Sequence, residues 1–66
     1  MGDIYFSLKN GDLHRVIAQG KKSWEYENTS GVALSMEPSQ FLCNFRICAD
    51  QPEALSMFNR IRESMK

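Results

Sequence analysis

The 66-residue chain has a single histidine, a single tryptophan, two cysteines, two prolines and four glycines, and neither sign of charge is in excess. Each shortage closes off some chemistry. With His14 as the sole imidazole, any nucleophile-base-acid arrangement would have to be built around that one residue, and no Gly-x-Ser-x-Gly elbow accompanies it. The glycines, Gly2, Gly11, Gly20 and Gly31, are spaced like turns, not like a phosphate-cradling loop or a dinucleotide fingerprint. His14 thus reads as a histidine on the flank of a hairpin, and an enzyme using it as a base ranks last among the function classes considered.

Metal chemistry is equally short of ligands. Structural zinc takes four ligands in paired spacing, which one histidine and two unpaired cysteines do not supply. Glu25 and Glu27 alternate on one strand and read as a solvated acidic face. Cys43 and Cys48, five residues apart on what reads as one strand, would point to opposite faces, so no disulfide is implied and both read as small buried hydrophobes. No cofactor, metal or catalytic site is expected.

Long apolar runs are also missing. No stretch approaches the roughly 18 apolar residues of a membrane span, and the opening residues carry no basic segment of a secretory signal. The expectation is a cytoplasmic protein without a membrane segment. Eight basic and eight acidic residues cancel, whereas a protein holding nucleic acid through its phosphates carries a basic excess.

What is present is the pattern of a small α+β domain spanning residues 1–66. Ile4, Phe6 and Leu8 alternate with Tyr5, Ser7 and Lys9 before Asn10-Gly11, the strongest short hairpin signal, since both residues tolerate positive φ. A two-residue turn there would pair Leu8 with Leu13 and place Leu13, Arg15 and Ile17 on the Ile4/Phe6/Leu8 face; a three-residue turn would bring His14, Val16 and Ala18 there instead. The two-residue turn is favoured because it buries Leu13 and Ile17. Beyond Gln19 to Lys22, Trp24 and Tyr26 alternate with Ser23, Glu25 and Glu27; beyond Asn28 to Gly31, Val32, Leu34 and Met36 alternate with Ala33 and Ser35. Phe41 to Ala49 fits period two and period 3.6 almost equally, and the new helix opened by Asp50 and Pro52 argues for a strand.

Signals for that last helix agree with one another. Asp50 is an N-cap with Glu53 three residues on, Pro52 sits in the first turn, and Arg60, Arg62 and Lys66 crowd the last turns. Ala54, Leu55, Phe58, Ile61 and Met65 form one apolar stripe. The expected architecture is an antiparallel sheet of four to five strands in a meander (3–9, 12–18, 22–28, 31–36, 41–49), covered on one face by a C-terminal helix (51–65). No family motif is present. Gly31-Val32-Ala33-Leu34-Ser35 ahead of Pro38 is similar to the last strand of dimeric single-strand-binding coactivator domains; that resemblance would imply a helix after Pro38, where the pattern here reads as a fifth strand.

One helix covers one sheet face, and Tyr5, Val16, Leu42 and Met57 fall off the faces assigned to the core, so surplus apolar surface is expected. Trp24 and Tyr26 follow Lys21 and Lys22, with Tyr5, His14 and Arg15 on the neighbouring hairpin. These seven residues are the candidate partner-binding set, unless Trp24 and Tyr26 are instead the core beneath the helix. The leading expectation is a non-catalytic binding protein acting on another protein, an inhibitor or regulatory accessory subunit of the kind phages carry, and a homodimer through a sheet face or edge. The alternative is a single-stranded nucleic-acid binder using Lys21, Lys22, Trp24, Tyr26 and Arg15.

Overall fold

A computed structural model describes residues 2–65; Met1 and Lys66, the latter expected in the last helical turn, lie outside the described residues. Five strands, β1 (Ile4–Ser7), β2 (Leu13–Gln19), β3 (Trp24–Asn28), β4 (Ala33–Met36) and β5 (Phe45–Ile47), form one antiparallel sheet in the order β4-β3-β2-β1-β5. Helix α1 (Pro38–Asn44) lies between β4 and β5, and helix α2 (Gln51–Ser64) follows β5. The fold is α+β, with the five antiparallel strands and the C-terminal helix that the residue pattern indicates.

The first hairpin keeps its expected faces and changes its register. Phe6 pairs with Leu13, Tyr5 with His14 and Ile4 with Arg15, two residues away from the pairing a two-residue turn would give. The turn holds four residues, Leu8 to Gly11: Gly11 N–H donates to Ser7 O at 2.7 Å and Asn10 Oδ1 accepts from Asp12 N–H at 3.0 Å. Gly11 has φ +78°, a left-handed conformation that a side chain would strain. Since a two-residue slip preserves the strand faces, Leu13 and Arg15 still share a side with Ile4. Ile17 does not join them, because a register shift between Val16 and Ala18 leaves it as the extra residue of a bulge and exposes it.

The strand expected over residues 41–49 shrinks to Phe45–Ile47, preceded by the seven-residue helix α1. Pro38 opens that helix at a position where its missing N–H is not needed. The opening of α2 at Asp50 does not exclude an earlier helix, because a three-residue strand is enough to separate the two. Nor does the last strand continue a meander: β5 crosses the sheet and pairs with β1, Tyr5 opposite Ile47 and Ser7 opposite Phe45. Cys43 rides on α1 and is exposed, contrary to its expected burial, while Cys48 is half-buried; both are free thiols.

The crossing changes what covers the sheet. Tyr5, Val16, Tyr26, Phe41 and Phe45 form one buried cluster, with Trp24 and Met36 packed against it; Ile4, Ala54 and Phe58 form a second, flanked by Leu13 and Cys48. Cross-strand partners share a face, so the first cluster lies on the Tyr5/His14 side under α1 and the second on the Ile4/Arg15 side under α2. Tyr5 and Val16, expected outside the core, are therefore buried in it, and Leu8 is exposed. The α2 stripe is narrower than its sequence indicates: Asp50 accepts from Glu53 N–H at 3.1 Å as the N-cap, but only Ala54 and Phe58 are buried, and Leu55, Ile61 and Met65 stay exposed.

Candidate functional site

The seven residues singled out as a contact strip are divided between the two faces and a turn. Tyr5 and Tyr26 are buried and Trp24 and His14 half-buried, all on the α1 side. Phe41, with 0% exposure, gathers them: its ring centroid lies 5.1 Å from Tyr5, 5.2 Å from Trp24 and 5.1 Å from Tyr26, and it stacks on Phe45 at 4.4 Å. Trp24 and Tyr26 are thus core residues, beneath the short helix and not beneath the C-terminal one. Burial pushes both tyrosine hydroxyls up from their usual pKa, with Asp3 adding to the effect at Tyr5.

His14 meets Tyr26 and Phe45 in T-shaped contacts, at 5.7 and 4.9 Å between centroids, and places Nδ1 3.1 Å from Asp12 O. Burial lowers its pKa, opposed by the Asp12 carbonyl and carboxylate. Among the described residues no three His, Cys, Asp or Glu side chains gather where a metal ion would fit, and no helix is long and apolar enough to cross a membrane.

Arg15 sits on the opposite face. Its Nε donates to Glu27 Oε1 at 2.9 Å, its guanidinium lies 5.5 Å from the Phe58 ring centre, and Arg62 Nη1 of α2 reaches the same Glu27 oxygen at 3.4 Å. Glu27 is the shared anion of two arginines rather than part of a solvated acidic pair. This triad fastens α2 to β3 and leaves Arg15 engaged inside the chain. Lys21 and Lys22 are exposed in the β2–β3 turn. The structure therefore does not assemble the seven into one surface.

The surface it does present is the outer edge of β4. Asn28 builds its start: Oδ1 accepts from Ser30 and Val32 N–H at 2.9 and 3.0 Å, and Gly31, at φ +85°, turns the chain back. Asn28 N–H donates to Val32 O at 3.2 Å, making this a hydrogen-bonded pair. Such pairs alternate along an antiparallel ladder, so Tyr26/Leu34 and Trp24/Met36 are the next two. Ala33 and Ser35 consequently turn their N–H and C=O groups away from β3, along the open edge.

Side chains on this edge are free of charge from Gly31 to Met36. Val32 and Leu34 are 51% and 42% exposed, while Met36 is half-buried against Trp24. All three lie on the α1 side, as an apolar stripe one residue outside the core; Ala33 and Ser35 are the small residues of the other side. Sheet edges are ordinarily blunted by charge, proline, bulges or brevity. The β5 edge has such protection, being three residues long with Arg46 at its centre. β4, one residue longer, carries no charge or proline until Glu37 and Pro38. A stretch with alternating Val, Leu and Met was legible as a strand, but that it would be an edge was not, because this depends on β5 pairing with β1 instead of β4. No protein-family model, curated protein or solved structure matches the chain.

Proposed function

We propose that the protein is a non-catalytic, cytoplasmic binding protein that acts through protein contact, accepting an extended segment of another chain along the open edge of β4, in the manner of a small inhibitor or accessory subunit. The observation that carries this reading is the β4 edge itself: outward N–H and C=O groups at Ala33 and Ser35, an uncharged side-chain run, and exposed Val32 and Leu34 beside them. Strand addition takes affinity from main-chain hydrogen bonds and selectivity from alternate side chains, and this edge offers both.

The test compares the protein with its Leu34→Lys variant. Lysine at an exposed edge position leaves the core intact, so the far-ultraviolet circular dichroism should be unchanged, while a partner recovered from the native host with the unaltered chain should be lost with the variant. Equal recovery by both folded proteins would place the contact elsewhere.

A further inference from the structure

Resting on the strand-docking reading above, we infer that the segment β4 accepts is β4 of a second copy, giving an isologous dimer with a continuous sheet of twice the present five strands. The edge is complementary to itself. A two-fold axis perpendicular to the sheet at Leu34 sets Leu34 opposite the partner's Leu34, Val32 opposite the partner's Met36, and Ala33 opposite the partner's Ser35. Large apolar groups then meet large ones on the α1 side and small groups meet small ones on the α2 side.

The backbone agrees with this centre. Ala33 and Ser35 carry the outward N–H and C=O groups, so the two Ala33/Ser35 pairings are the hydrogen-bonded ones and supply four bonds. Leu34/Leu34 becomes the non-hydrogen-bonded pair, whose Cα atoms approach to about 4.5 Å and whose side chains lie closest. Moving the axis by one residue, to Ala33 or Ser35, keeps the outward groups at hydrogen-bonding sites but sets Met36 opposite the partner's Ser30 in the first case and Val32 opposite the partner's Pro38 in the second, so only the Leu34 axis matches all three large side chains. Side-chain matching thus selects the Leu34 register among those the backbone allows.

Electrostatics does not oppose the pairing. The formal net charge is zero, so two copies meet without long-range repulsion, a condition that favours self-association. Glu37, which follows Met36 and would face the partner's Gly31, lies six residue steps along the strand, about 20 Å, from its own symmetry mate. Glu25 and Glu27 on β3 are separated from theirs by three strand spacings, about 14 Å, and all of these separations exceed the screening length of about 8 Å at physiological salt. Four backbone bonds and six apolar side chains form a modest interface, so the dimer should be concentration-dependent.

The experiment is chemical synthesis of the full chain with a diazirine analogue of leucine at position 34, irradiated both pure and in extract of the native host. The expected product from the pure chain is an adduct of twice its mass, cross-linked from position 34 to the β4 segment of the other copy. A pure chain that gives no such adduct, combined with an adduct to a different protein in extract, overturns self-pairing and leaves strand docking standing; no adduct in either overturns both. As a control on register, Leu34→Lys and Leu34→Glu should each sediment as folded monomers, and their mixture should recover the dimer. A dimer that survives in either variant alone overturns the proposed axis.

Discussion

The side-chain amide of Gln51 occupies both backbone polar groups of Ile4: Oε1 accepts from Ile4 N–H at 2.7 Å, and Nε2 donates to Ile4 O at 3.0 Å. Nε2 also donates to Cys48 O at 2.7 Å. One glutamine in the first turn of α2 thereby satisfies the start of β1, the strand on which Ile4 is fully buried. Replacing it with alanine takes that partner from Ile4 N–H and Cys48 O, while Ile4 O keeps Cys48 N–H at 3.0 Å; the cost is about 1–3 kcal/mol for each group left without a partner. Gln51→Ala should lower the urea midpoint by a corresponding amount. Gln51→Glu should also lose stability, because the carboxylate keeps the acceptor for Ile4 N–H but cannot donate to the two carbonyls.

Phe41 should be the most sensitive residue of the α1 side. Its ring meets four other aromatic rings and is fully buried. Phe→Ala in such a site costs about 3–5 kcal/mol, comparable with the entire stability of a small domain, which starts near 5 kcal/mol. Phe41→Ala is expected to unfold much of the population at 37 °C, read as a red shift of Trp24 fluorescence. Phe41→Leu should retain the fold with a lower melting temperature.

The three charged groups under α2 should separate energetically. Arg15 both bonds Glu27 and lies over Phe58, and its side chain is less exposed than that of Arg62. Arg62→Met should cost less than about 1 kcal/mol, as exposed pairs do. Glu27→Gln should cost more, about 1–3 kcal/mol, because two cations lose their common partner. A double-mutant cycle between positions 27 and 62, measured at low and high salt, would check this; a coupling unaffected by salt would contradict it.

Stability should fall in mild acid through His14. Burial holds its folded pKa below the ordinary value of 6.5, so near that value the unfolded chain binds the proton more readily and stability rises with pH. The contribution is complete above the unfolded pKa and is lost as pH drops from there to the folded pKa. The slope is a fraction of the about 1.4 kcal/mol per pH unit carried by one whole proton, since the imidazole is only half-buried. Chemical denaturation between pH 5 and 8 should show this slope in the native protein and a smaller one in His14→Gln.

Local chemistry made several elements readable: the Asn10-Gly11 and Asn28-to-Gly31 turns, the alternation around Trp24 and Tyr26, and α2 with its Asp50 cap. Phe41 and Phe45 defeated the periodicity argument for a simple reason. Four residues apart is an even number, which puts them on one face of a strand, and close to 3.6, which puts them on one face of a helix. The first pattern made them a single strand; the structure places Phe41 in the middle of α1 and Phe45 at the start of β5, stacked. From this followed the misplaced cover of the sheet and the open status of Trp24 and Tyr26. The bulge at Ile17 and the Gln51 clip left no local mark, because each exists only through partners distant in the chain. The β4 edge was a readable strand whose exposure depended on a crossing that no short-range signal announces.

That crossing also orders events in time. During synthesis β1 to β4 can pair as soon as they emerge, each with its predecessor, but until Phe45–Ile47 arrives β1 is itself an unprotected border, and Ile4 stays bare until α2, emerging later still, covers it. A nascent chain therefore has two vulnerable margins, and the arrival of β5 permanently seals one of them. The other, which no later segment of the fold reaches, is the margin the finished protein keeps.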